Sequence, residues 1–130
     1  MIRLIRLGIP VLISLFVLAC AHTPQEETSD VTWHPESGVR SLMQDVSINI
    51  SRYPDGSLHT VVVDGVGAHQ RQAVEWSVRW FDPAGRQVKG ISDRYRRATI
   101  VPGVSFNLEA VAPIDYASRA QIHVRRSTTS

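Results

Sequence analysis

Five histidines, at positions 22, 34, 59, 69 and 123, are the side chains best suited to hold a metal or to move a proton. No two of them stand at helical or strand ligand spacing, and the single cysteine, Cys20, is not free to assist them. His59 and His69 bracket one apolar stretch and its bend, so a meeting across a hairpin is the pairing to test. Plain surface positions are the simpler reading, and no metal or other cofactor is expected. Serines are plentiful, but no Gly-x-Ser-x-Gly elbow gives a nucleophile its context. Asp64 and Asp82 read as turn and bulge residues, not as the paired acids of a glycosidase. No catalytic residue emerges. The one candidate binding feature is Arg94-Tyr95-Arg96-Arg97, where three guanidiniums surround an aromatic. Such a group suits anionic lipid headgroups, an acidic polymer or a partner's carboxylates. The alternative is a solvated sheet edge, whose charges oppose strand-to-strand aggregation.

The element that must position these residues is a strand over residues 74–80. Val74, Trp76, Val78 and Trp80 alternate with Glu75, Ser77 and Arg79, a period of two that buries one face and wets the other. Asp82-Pro83-Ala84-Gly85 then reverses the chain: Pro83 presets φ and Gly85 accepts the closing conformation. Trp76, Val78 and Trp80 are therefore the expected core. A sugar-stacking role for the two tryptophans is the lesser reading.

The chain begins with Arg3 and Arg6, followed by a stretch over residues 7–19 that is apolar apart from Gly8, Pro10 and Ser14. As a helix that stretch reaches only ~20 Å, short of a ~30 Å hydrocarbon core. It reads as a secretory leader. It ends Val17-Leu18-Ala19-Cys20, which resembles a bacterial lipobox, so Cys20 is the expected lipidation site and residues 1–19 the cleaved signal peptide. Ala21 follows where an inner-membrane retention signal resembles Asp, so the expected address is the periplasmic face of the outer membrane. No second cysteine exists to form an internal disulfide.

Without residues 1–19 the chain carries 12 basic and 12 acidic groups, and no nucleic-acid partner is expected. Residues 20–85 hold four basic and nine acidic groups, and residues 86–130 hold eight and three. Such segregation favours pairing between the two parts.

Residues 20–44 contain few large apolar groups and read as a lipidated N-terminus and flexible tether, with room for one helical turn near its end. Residues 45–126 form the domain. Alternation at Val46, Ile48 and Ile50 marks a first strand, and residues 53–57 a turn. A β-branched strand runs from Leu58, with Gly65 and Gly67 read as a bulge or bend. After the central hairpin come a short edge strand at residues 87–91, a basic exposed stretch at 92–97, and a strand at 98–101 stopped by Pro102-Gly103. Strands around Phe106–Ala110 and Ile122–Val124 follow, and residues 127–130 read as a frayed tail. About seven short strands with turn signals between them predict an all-β, immunoglobulin-like sandwich.

Trp80-Phe81-Asp82-Pro83-Ala84-Gly85, preceded by alternating aromatics, resembles the Trp-aromatic-Asp-x-x-Gly signature of the YcfL-like lipoproteins. Ile100-Val101-Pro102-Gly103 and Ala112-Pro113 with Ala117 match that family's spacing, over roughly residues 60–126. The chain departs from it at residues 65–68, where members tend to carry an Asn. The resemblance implies a β-sandwich lipoprotein of unknown activity, and a setting in cell-envelope biogenesis near peptidoglycan-synthesis proteins. The function expected is a non-enzymatic binding or scaffold module, held to the membrane by its lipid anchor. An accessory lipoprotein of a secretion or surface-appendage assembly is the alternative, and a cell-wall-acting enzyme the least supported.

Overall fold

The computed structural model describes residues 30–128. The expected leader, Cys20, His22 and residues 21–29 of the expected tether lie outside the described residues. In chain order the elements are β1 (Val31–Pro35), the single turn α1 (Ser37–Arg40), β2 (Met43–Arg52), β3 (Leu58–Gly67), β4 (Gln72–Phe81), β5 (Gln87–Val88), a 3-10 turn (Ile91–Asp93), β6 (Arg96–Ile100), β7 (Ser105–Val111) and β8 (Arg119–Arg126). They form two sheets, and the all-β sandwich expected from the alternation is the fold.

The larger sheet is built on β4. One edge of β4 pairs with β8 along its whole length, from Val74↔Arg126 to Phe81↔Arg119. Its other edge is shared, with β6 against the first half and β5 against the end. β1 then lies parallel to the far edge of β8. Trp80 is fully buried and Trp76 and Val78 nearly so, as their alternation demands. The turn at residues 82–86 closes as expected: Gly85 N–H donates to the Asp82 carbonyl at 2.9 Å, and Gly85 holds φ 83°.

The smaller sheet has the order β2-β3-β7. Val61, Val63, Leu108 and Ala110 fill the core from its inner face. A bulge is present, but on the neighbour of the strand where it was expected. The register slips between Gln44 and Ser47 of β2, where Asp45 adopts φ 54°. The glycines of β3 serve close approach instead. A Cβ on Gly67 would stand 2.0 Å from the Val101 carbonyl oxygen, because the turn at residues 101–104 folds directly over it. Gly67 N–H donates to the Val104 carbonyl and its own carbonyl accepts from Gly103 N–H.

Three expectations need correction. Residues 31–44 are not tether. Val31 is buried, α1 buries Val39 completely, and Glu36 N–H donates to the Val124 carbonyl at 2.8 Å. Val31, Trp33 and Pro35 alternate onto the inner side of β1 and pack toward the core, while docking on the edge of β8 supplies its main-chain partners. Second, the edge strand at 87–91 ends after Val88, and the stretch from Ser92 is not simply exposed. Trp80 Nε1 donates to Ser92 Oγ at 2.6 Å inside the core, which turns the chain at that point. Third, Ser127 is tied down, its N–H donating to the Ala73 carbonyl at 3.0 Å.

Candidate functional site

Pairing of β1, β8 and β4 lays the outward side chains of the larger sheet in cross-strand rows. His34, His123 and Ser77 form one row, and Thr32, Gln121 and Arg79 the next. His34 and His123, far apart in sequence, stack with ring centroids 5.0 Å apart and planes 12° off parallel. His34 Nε2 shares a hydrogen bond with Thr32 Oγ1 at 2.8 Å, and His123 Nε2 one with Gln121 Oε1 at 3.2 Å. Each ring is thus oriented by the residue two places before it. Partial burial lowers the His123 pKa first, and the charge of Arg79 and the nearness of His34 add to the shift. The neutral imidazole is favoured. Ser77 stands directly beside this pair, yet its Oγ is sealed from solvent and has no hydrogen-bond partner. A substrate has no path to it.

The next row is an ion pair backed by an aromatic ring. Arg125 donates to Glu75 Oε2 through Nη2 at 2.9 Å and Nε at 3.2 Å, while its guanidinium lies 3.5 Å above the Tyr95 ring. The bond from Arg125 is the main cause holding the Glu75 carboxyl below its usual range. Ser127 Oγ also bonds Glu75, and it accepts from Arg97 Nη2 at 3.1 Å.

The four residues Arg94, Tyr95, Arg96 and Arg97 are therefore not one patch. Tyr95 and Arg97 face outward into the Glu75 row. Arg96 turns the other way: its guanidinium covers the Trp76 ring at 3.9 Å, and Nη2 donates to the Glu109 carbonyl at 3.2 Å. It clasps β6 to β7 across the open side of the sandwich, and desolvation there lowers its pKa. Arg94 stands apart from all three, on the loop before β6.

Other sequence candidates resolve as structure. His59 lies at the start of β3 and His69 in the turn just past its end, at least ~25 Å apart along the strand, and they do not meet. His59 packs edge-on against Tyr53 at 4.8 Å. Asp64 accepts from Asn49 at 3.1 Å and Asn107 at 2.7 Å, a ladder across the smaller sheet in place of a bulge. Asp82 is the turn residue expected, its Oδ1 accepting from Arg86 N–H at 2.9 Å. Among the described residues no three His, Cys, Asp or Glu side chains cluster to hold a metal. Among them also, no helix is long and apolar enough to cross a membrane. The His34–His123 pair was the feature hidden from sequence, because β1 carries too short a pattern to announce itself.

No known sequence family and no curated protein matches the chain. Solved structures do. The chain is similar to cj0090 of Campylobacter jejuni, at 17% identity and a TM-score of 0.53, over 74% of this chain and 98% of that one. It is also similar to a DUF1425 family member from Shewanella sp. pv-4, at 18% identity and a TM-score of 0.52, over 66% and 80% of the two chains. At such identity the likeness establishes a shared fold, and a sandwich of this kind is consistent with the resemblance to the YcfL-like lipoproteins.

Proposed function

We propose that this chain is a YcfL-like, non-enzymatic lipoprotein, anchored through Cys20 to the periplasmic face of the outer membrane. Its role is to hold an envelope partner against the outer face of the larger sheet. One observation carries the binding reading: the polar groups of that face are already fixed. His34 and His123 brace one another, each oriented by its own strand, and Arg125 is held between Glu75 and Tyr95. Side chains ordered in advance lose little entropy when a partner arrives. The lipobox supports the anchor, and the family resemblance supports a partner class among peptidoglycan-synthesis or other envelope-biogenesis proteins.

A photo-crosslinking residue at position 121, at the centre of the face, tests this in intact cells. A discrete protein adduct is expected there, and none from position 49 on the outer face of the smaller sheet. His34→Ala with His123→Ala should weaken the adduct. An adduct at 49 alone would refute the assignment of the face. Turnover of cell-wall material by the purified protein would refute the non-enzymatic reading.

A further inference from the structure

The loop between β5 and β6 walls an open groove of ≈ 530 Å³ beside the face just described. Its lining is Arg79, Gln87, Lys89, Gly90, Asp93 and Arg94. Three of these are cations. The ion pairs of the described residues are Arg52–Asp30, Arg86–Asp82 and Arg125–Glu75, so among the described residues none of the three groove cations has an acid within pairing distance. The one acid in the lining, Asp93, is turned into the loop: Oδ2 accepts from Gly90 N–H at 3.1 Å and Oδ1 is buried.

The cations are not free to spread apart. Val88 is paired to Trp80, and Ser92 accepts from the Trp80 indole. Gly90 presses so closely on Pro113 that an added Cβ would come within 2.7 Å of the proline Cβ. Lys89 and Arg94 therefore ride on a loop pinned at both sides and in the middle, facing Arg79 on a fixed strand. Like charges held together without a counter-charge raise the local potential and favour an anion in the space between. Guanidiniums beside an ammonium fit phosphate oxygens particularly well.

We propose that this groove is a phosphate-binding site that receives the headgroup of an anionic phospholipid and seats the domain on the membrane; it rests on the lipoprotein reading above. Position in the fold favours this source. Val31 is in register with Ala120, and Ala120 with Trp80, so the chain enters the domain one residue along the strands from the level of Arg79. Asp30 lies at that end, paired with Arg52 at 3.1 Å. Residues 20–29 reach at most ~35 Å when extended. A domain on so short a lead from an acylated Cys20 keeps this end close to the lipid surface. Acyl chains plus a cationic site give the two-signal attachment that holds peripheral proteins in place.

The test uses the chain from residue 20 onward carrying Cys20→Ser, so that no acyl chain contributes and the site is measured apart from lipidation. Sedimentation with phosphatidylglycerol–phosphatidylcholine vesicles at low salt should show binding, absent with phosphatidylcholine alone and lost at ~0.5 M salt. Lys89→Gln with Arg94→Gln should weaken it roughly 25-fold, about fivefold per cation near an anionic surface. Arg40→Gln with Arg71→Gln, two exposed cations at the opposite end, should change it less than about twofold. Equal losses from both pairs would overturn the site and leave only net charge. Competition by inorganic phosphate as strong as by phosphatidylglycerol vesicles would overturn the lipid source. Loss of the position-121 adduct in cells by Lys89→Gln with Arg94→Gln, with vesicle binding intact, would assign the groove to a protein partner and overturn the proposal. Failure of labelled palmitate to reach Cys20 would instead strike the anchor reading alone.

Discussion

The hydrogen bond from Trp80 to Ser92 joins the core to the loop that carries Lys89 and Arg94, and cutting it is the sharpest perturbation the fold offers. Trp80→Ala removes a fully buried indole, a change that costs ~3–5 kcal/mol. Ser92 Oγ would also lose its buried donor, at a further ~1–3 kcal/mol. A domain of this size has ~5–15 kcal/mol in total, so that variant should be largely unfolded. Trp80→Phe is more informative, because it keeps most of the ring and deletes the N–H. It should cost ~2–3 kcal/mol from the orphaned serine and the smaller ring. Ser92→Ala leaves the indole N–H without an acceptor and should cost ~1–3 kcal/mol. The double variant strands neither group, so its cost should fall short of the sum by ~1 kcal/mol or more. Urea unfolding followed by far-ultraviolet circular dichroism measures all three. Additivity within ~0.3 kcal/mol would mean that the bond is not held in solution, and the pinned loop would lose its support.

Further outcomes follow from single positions. Cys20→Ser should abolish incorporation of labelled palmitate in cells, and a variant still labelled would refute the lipobox reading. Gly67→Ala should cost more than ~2 kcal/mol in urea unfolding, since its Cβ meets the Val101 backbone and no side chain can yield. The lowered His123 pKa means that the unfolded chain takes up that proton first as pH falls. Stability should therefore drop as pH falls through the unfolded value of ~6.5 toward the folded one. His123→Gln should flatten this part of the urea-midpoint profile. The lowered carboxyls of Glu75 and Asp55 act only at more acid pH, below ~4.5, where their stabilisation is lost. An unchanged slope between pH 7.5 and 5.5 in His123→Gln would refute the assignment.

What the sequence disclosed, and what it concealed, divides along the range of the interactions involved. β4 and its turn were legible because alternation and turn chemistry are written within a few neighbouring residues. Gly65 and Gly67 stand out as anomalies in the strand, but a bulge or bend there is the wrong interpretation. The turn that crosses Gly67 lies more than 30 residues downstream, so the crowding that requires glycine has no local signature. β1 is the same case. Its five residues carry mixed polarity, and only the waiting edge of β8 makes them a strand. The histidine pair inherits that invisibility, since it exists only once β1 has docked. Arg94, Tyr95, Arg96 and Arg97 failed differently. Contiguity suggested a cluster, but β6 begins at Arg96, and strand alternation sends Arg96 to the opposite face from Arg97.

The uneven spread of charge along the chain has a structural outcome of its own. Two of the described ion pairs, Arg125–Glu75 and Arg86–Asp82, join the basic C-terminal part to the acidic N-terminal part, as segregation favoured. The pairing is incomplete, and the remainder is not scattered. Arg79 comes from the acidic part and Lys89 and Arg94 from the basic part, yet all three line one groove. Asp93 had the chance to neutralise them, being adjacent to Arg94 in the chain. Its carboxylate is committed instead to the Gly90 N–H, the bond that shapes the loop. A carboxylate facing the groove would have relieved the repulsion at no cost in apolar burial. Holding the acid inward keeps the loop rigid and leaves the groove electropositive. Asp93→Asn separates those two effects. Its side-chain oxygen can still accept from Gly90 N–H, so the loop should persist, while the loss of one negative charge should tighten binding to phosphatidylglycerol vesicles. Weaker binding by a folded Asp93→Asn domain would show that shape, and not charge, governs the groove.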